Sequence, residues 1–437
     1  MNGNFYAPAS VATLGEGRSH VPTTPDSDLA MLTAHQGEGR SHVPTTPDRG
    51  QWPRLQSQAP MDAPAPVAEA TGLGRTSPKA RRLPRSMTLS TILASLLTCL
   101  PARAQDASPP SAFQQHQPAI ETAVDRALRY LASTQTEDGT FADSYGRSVG
   151  VVSLVGMSFL SAGHMPGYGE YAGNLKRCLD YVLDSQRPNG LLDKGDSGHG
   201  LMYAHTIATL FLSECSGMVD PETQERIDPV LARATKLILE AQSVPKNENH
   251  EGGWRYKPDS RDSDLSCSGW ALMALRSAKL NGAFIPDEAI NKAVRYVLRN
   301  HDREKGTFGY TDPWGHAETL TGCGLLCLAL CGLHGEDSLQ RAGDYLFQMR
   351  QQIVNNAHEY YANYYNAQGM FQLGGRHWAQ YSDWMYGEYL PKQQSNGSWS
   401  NGRSGGTYGT AMMVLSFTVP YRQLPIYQRD ETVDELP

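Results

Sequence analysis

From about residue 117 onward, polar and apolar positions alternate in a regular way. Segments such as AVDRALRYLASTQ, CLDYVLDSQ, ATKLILEAQ and AINKAVRYVLRNH carry an apolar stripe at helical spacing with charge opposite it. That pattern predicts a helix with one face in water. A turn follows each: Gly139, Thr140 and Phe141 after Gln135, Asn189 and Gly190 after Gln186, Gly252, Gly253 and Trp254 after Gln242. After His301, which stands where the others have Gln, come Gly306, Thr307 and Phe308. A weaker copy begins at Ser338 without the turn, and the last pairs Gln394 with Gly397, Ser398 and Trp399. The Gly permits the positive φ that reverses the chain, and the aromatic packs back over the helix end.

Behind each turn lies a second segment that is apolar on all sides: 149–162, 199–216, 265–280, 317–333, 359–372 and 407–419. A helix apolar all round must be buried. Alternating wet and dry helices six times predicts an all-α fold, an (α/α)6 toroid of about six helical hairpins over 117–429, with the dry helices as the inner wall. The Q-x-x-x-G-x-W/F units resemble the QW repeats of squalene and oxidosqualene cyclases and of protein prenyltransferase β subunits. The number of hairpins resembles the single toroid of the latter more than the paired barrels of a squalene cyclase.

In such a ring the inner helices start at one mouth, together with the positive ends of their dipoles. The resemblance implies that Asp262 and Asp264 match the first two acids of the cyclase D-x-D-D-T motif, with Asp264 as proton donor to an alkene. Leu265 stands where the third acid belongs, which weakens the acid cluster that such chemistry needs. The plainer role for Asp264 is a helix N-cap, and it is the weightier one. Prenyltransferases hold zinc through Asp, Cys and His; here Gly409 follows Tyr408 where that His would stand, so neither a metal nor another cofactor is expected. His199, His205, His316, Glu318, His358 and Glu359 also fall at inner-helix starts, as general acid/base or capping groups. Trp270, Tyr361 and Tyr365 are expected to line the cavity, or to fill helix seams.

The first 86 residues break the pattern. They are rich in Pro, Ala, Thr and Gly and repeat GEGRSHVPTTPD at 15–26 and 37–48. Such a segment buries no core and is expected to be disordered. Residues 87–104 follow Arg81, Arg82 and Arg85 with a short apolar run and an Ala102-Arg103-Ala104 cleavage site, which predicts a signal peptide and an exported protein. A signal so far from the N-terminus suggests that translation starts at Met87. A lipoprotein box at Cys99, a twin-arginine signal at Arg81-Arg82 and an uncleaved anchor are the rivals. A linker (105–116) and a disordered tail (430–437) complete the organisation.

The net charge of -7 leaves no basic footprint for nucleic acid. Cys323, Cys327 and Cys331 recur every fourth residue, which suits small buried side chains rather than disulfides or a metal knuckle. Three functions follow: an exported toroid that binds an apolar or polymeric ligand without a complete catalytic set, an isoprenoid cyclase using Asp264, or a carbohydrate lyase or hydrolase using Asp264 with Glu318. The first is the expectation, because no set is complete. A membrane is a partner only if the signal segment stays uncleaved.

Overall fold

The structure, a computed structural model, describes residues 111–143, 145–194, 200–333, 337–401 and 405–428. The expected arm, signal segment and tail lie outside the described residues, as does His199. Twelve α-helices follow in order: α1 (Ala112–Thr134), α2 (Val149–Ser161), α3 (Ala172–Leu183), α4 (Leu201–Cys215), α5 (Pro221–Gln242) and α6 (Leu265–Leu280). Then come α7 (Asp287–Arg299), α8 (Ala317–Ala329), α9 (Asp337–Ile353), α10 (Glu359–Leu373), α11 (Gly375–Tyr389) and α12 (Gly406–Phe417). The described strands are β1 (His301–Asp302) and β2 (Thr307–Phe308), which pair antiparallel within one turn.

The helix starts are written in local chemistry. Ser111 and Gln114 form a reciprocal capping box for α1. Asp220 caps α5 with Pro221 in its first turn.

Burial separates two walls. All 15 residues of α10 are buried, whereas α7 buries only 5 of its 13. The even-numbered helices pack in the order α2, α4, α6, α8, α10, α12, and α12 packs back on α2. The odd-numbered helices lie outside against their partners, and α1 meets α11. The described residues therefore form an α/α toroid, and the dry helices are its inner wall.

The repeat is a lock between neighbouring hairpins. The side-chain amide of Gln135 donates to the turn carbonyl of Gly139 at 3.3 Å and to Asn174 of the next outer helix at 3.3 Å. Gln186 does the same with Gly190 and Val230, at 3.2 and 2.8 Å. Gln242 does it with Gly252 and Ala289, both at 2.9 Å. In the last repeat the residue is Gln393, not Gln394: its amide donates to Gly397 at 2.9 Å and to Ala123 of α1 at 2.7 Å. Counting four residues back from the turn glycine, as in Gln135 and Gly139, finds it. The final lock therefore grips the first helix and closes the ring. His301 fills the Gln place, stacking on Phe308 with centroids 4.1 Å apart. The turn tryptophans pack back as expected: the indole of Trp254 donates to Ile238 at 2.8 Å and that of Trp399 to Tyr389 at 2.9 Å.

A strap runs across one end of the ring. Beyond α12 the chain makes two short 3-10 turns, Val419–Tyr421 and Pro425–Tyr427. This strap reaches the C-terminal ends of several inner helices: the Ile426 N–H donates to Glu214 of α4, the Tyr427 hydroxyl donates to Leu415 of α12, and Gln372 of α10 donates to Gln428.

Glu214 is fully buried, and burial pushes its pKa up to about 7 against the hydrogen bonds from Ser277 and Ile426. The unfolded chain loses this proton near the ordinary 4.5, so between there and pH 7 the folded state binds more protons, and stability falls as pH rises. The full effect is about 3 kcal/mol. We expect Glu214→Gln to match the parent near pH 4 and to exceed it by about that amount at pH 8 in urea unfolding. Comparing the two proteins at each pH cancels other titrations; an equal difference at both pH values would refute the buried-carboxyl account.

Candidate active-end site

At the other end the turns bring the starts of α4, α6 and α8 together. The Met202 N–H donates to Tyr256 at 3.0 Å and the Leu265 N–H donates to Tyr310 at 2.8 Å, so each helix start is tied to the turn of the following repeat. Tyr256 and Tyr310 each stand two residues past the turn aromatic, Trp254 and Phe308, which sets both phenols on the same rim.

Asp264 is the centre. One carboxylate oxygen caps α6, accepting from the Cys267 N–H at 2.8 Å and the Ser266 hydroxyl at 2.6 Å. The other faces Arg255 Nε at 3.1 Å, and Arg255 Nη1 reaches Asp262 at 3.0 Å. The guanidinium also lies over the rings of Tyr256 and Tyr310, 4.8 and 5.4 Å from their centroids. The two phenols are hydrogen-bonded to each other, and Tyr203 bonds Ser266.

Burial works against the charge on Arg255, but Asp264, the tyrosines and Asp262 outweigh it and hold its pKa above the ordinary value. Burial, with the Asp264 charge, pushes Tyr256 up to about 12 and Tyr310 higher still, so both phenols keep their protons. Asp264 thus takes the N-cap place expected for it and is also a counter-ion to Arg255. Asp262, half-exposed, is the outer partner of the same arginine.

The remaining nominated residues divide. His205 is not at the mouth but in a helix seam, where Nδ1 accepts from the Leu192 N–H at 3.1 Å and Nε2 donates to Ala234 of α5 at 3.1 Å. Burial holds its pKa down to about 4, so it is neutral. Its place is that of Ser268, Thr321 and Thr410, which accept from Trp254, Phe308 and Trp399 in the other repeats. His316 is exposed at the start of α8, with φ 57 and ψ 32, and its ring meets that of Tyr310 edge-on at 5.9 Å. Glu318, in the first turn of α8, lies near enough to Tyr345 of α9 for its charge to raise that phenol's pKa. His358 precedes α10 half-buried, and Glu359 beside it pairs with Lys392 at 3.7 Å.

Trp270, Tyr361 and Tyr365 are buried on the inner helices α6 and α10 and pack on one another. Trp270 of α6 stacks on Tyr364 of α10 at 5.0 Å and meets Tyr365 edge-on at 5.4 Å, across the space in front of α8. Tyr361 packs on Tyr365 at 5.0 Å. All four are no more than 5% exposed.

The six cysteines among the described residues are free thiols. Burial pushes Cys178 up to about 12 and Cys267 well above the ordinary range, and the hydrogen bond with Cys323, with burial behind it, raises Cys327 likewise, so these behave as small apolar side chains. Among the described residues no group of His, Cys, Asp and Glu is arranged to hold a metal, and no helix is long and apolar enough to cross a membrane. Sequence reasoning missed Arg255, Tyr203, Tyr256 and Tyr310. The repeated Tyr two places after the turn aromatic was the available signal.

No family model matches the chain, and no curated protein matches it in sequence. Solved structures do resemble it. The type II terpene cyclase MstE from Scytonema is 14% identical, with 70% of this chain and 99% of that one covered and a TM-score of 0.46. An α-1,6-mannanase of Salegentibacter is 11% identical over 68% of this chain and 98% of that one, TM-score 0.49. A reducing-end-xylose releasing exo-oligoxylanase is 11% identical over 73% and 96%, TM-score 0.45. The cyclase and the mannanase are α/α toroids. Likenesses of this size concern the fold alone, which the ring contacts establish independently.

Proposed function

We propose that this chain is an exported binding toroid whose open mouth holds an extended polymeric ligand without transforming it. The observation that carries this reading is the state of Asp264: the acid best placed for catalysis has its oxygens engaged by a helix cap and a half-buried arginine. The packing of Trp270 on Tyr364 and Tyr365 favours a ligand at the rim over a hydrocarbon swallowed by the ring. Export rests on the 87–104 pattern.

The test is recovery of ligand. The full chain is incubated separately with squalene and with soluble polysaccharides, and products are read by mass spectrometry and by chain-length chromatography. Every substrate is expected back unchanged. A cyclised hydrocarbon lost in Asp264→Asn would instead establish the cyclase, and shortened chains would establish a carbohydrate-active enzyme.

A further inference from the structure

Trp314 stands on the rim with 69% of its surface in water. The loop that carries it is held, not slack: the Tyr310 N–H donates to Gly315 at 2.8 Å, and the Asp312 side chain accepts from the N–H groups of Trp314 and Gly315 at 2.8 and 3.0 Å. Both ends of this loop sit at Tyr310, whose ring meets that of His316 edge-on at 5.9 Å and whose hydroxyl pairs with Tyr256, so the loop shares its rim with the paired phenols. At the end of this loop His316 adopts a left-handed backbone that a β-carbon disfavours, a conformation the surroundings must impose.

From these observations we infer that the rim around Trp314 is a subsite for the sugar rings of a neutral polysaccharide, an inference that rests on the binding reading above and names its ligand class. A pyranose has an apolar face of C–H bonds, which the negative face of an indole attracts, and an edge of hydroxyls that donate and accept at once. The rim supplies both complements: an exposed ring on a fixed loop that starts at Tyr310, and over the Tyr310 ring a guanidinium paired with the half-exposed carboxylate of Asp262. Charge selects the neutral sugar. Arg255 is already balanced by Asp262 and Asp264, so a uronate or phosphate would gain no free cation and would meet two carboxylates. An apolar chain would leave these polar groups dry and unpaired.

Affinity gel electrophoresis of the full chain tests this, with mannan, xylan or mixed-linkage glucan as neutral probes and alginate or polygalacturonate as charged ones. Retardation is expected in at least one neutral gel and in neither charged gel. Trp314→Ala, at an exposed position, is expected to keep the parent melting temperature and to weaken that retardation at least tenfold. Asp262→Asn is expected to weaken it several-fold. No retardation in any neutral gel, retardation in the charged gels alone, or neutral binding untouched by Trp314→Ala would overturn the subsite. Neutral binding that survives Trp314→Ala would leave the binding toroid standing with its ligand elsewhere. Cleavage of a retained chain would overturn the non-catalytic reading and leave the subsite in place.

Discussion

Replacing Gly397 by Ala is expected to cost roughly 2–5 kcal/mol of stability, because two penalties add. Gly397 has φ +93, where a side chain is strained, and a β-carbon there would sit 2.4 Å from the backbone oxygen of Arg126 in α1. The second contact belongs to ring closure. The same approach recurs in the earlier repeats, Gly139 on Arg177, Gly190 on Arg233 and Gly252 on Lys292, each against the next outer helix. A control separates the two penalties. Gly217 has φ +81 but nothing within 4 Å of a built β-carbon, so Gly217→Ala carries only the backbone strain, roughly 1–2 kcal/mol. Urea midpoints of the two variants decide: equal losses would mean that the last turn does not grip α1, and the closed ring would fail with it.

Asp264→Ala is expected to cost roughly 3 kcal/mol, mostly because it leaves Arg255, whose side chain is only 21% exposed, with the half-exposed Asp262 as its remaining carboxylate. Loss of the α6 cap contributes about 1 kcal/mol of this. Asp264→Asn keeps a capping oxygen and removes the charge, so its loss should be the smaller of the two. Adding Arg255→Met to Asp264→Asn should recover part of the stability, since the cation left with only the half-exposed Asp262 is then gone. A double-mutant cycle in denaturant measures the coupling. Strictly additive losses would show that the two side chains do not depend on each other, and the reading of Asp264 as a counter-ion would fall.

Much of the ring was legible in the sequence, because burial on all sides and burial on one side leave different patterns. The inner helix α6 spans the same residues that periodicity marked, 265–280, and α10 ends one residue from the expected 372. The lock residue of the last repeat was misread by one place, since Gln393 and Gln394 are adjacent and only the carbonyl that each amide meets tells them apart. The site was less legible for a related reason. His205 looked like a mouth histidine by its distance along the chain, yet it does the work of a serine or threonine elsewhere in the ring, and periodicity does not reveal which atom a side chain bonds. Arg255 was invisible because its role depends on two acids seven and nine positions away that fold back onto it.

The strap from Val419 to Gln428 ties together the C-terminal ends of α4, α10 and α12. On the binding reading proposed above, a long strand is held at the opposite end, where Asp264 and Trp314 stand. It must lie across the lip or present a free end, so how tightly it is held should depend on the few units at the lip and hardly at all on how far the strand extends beyond them.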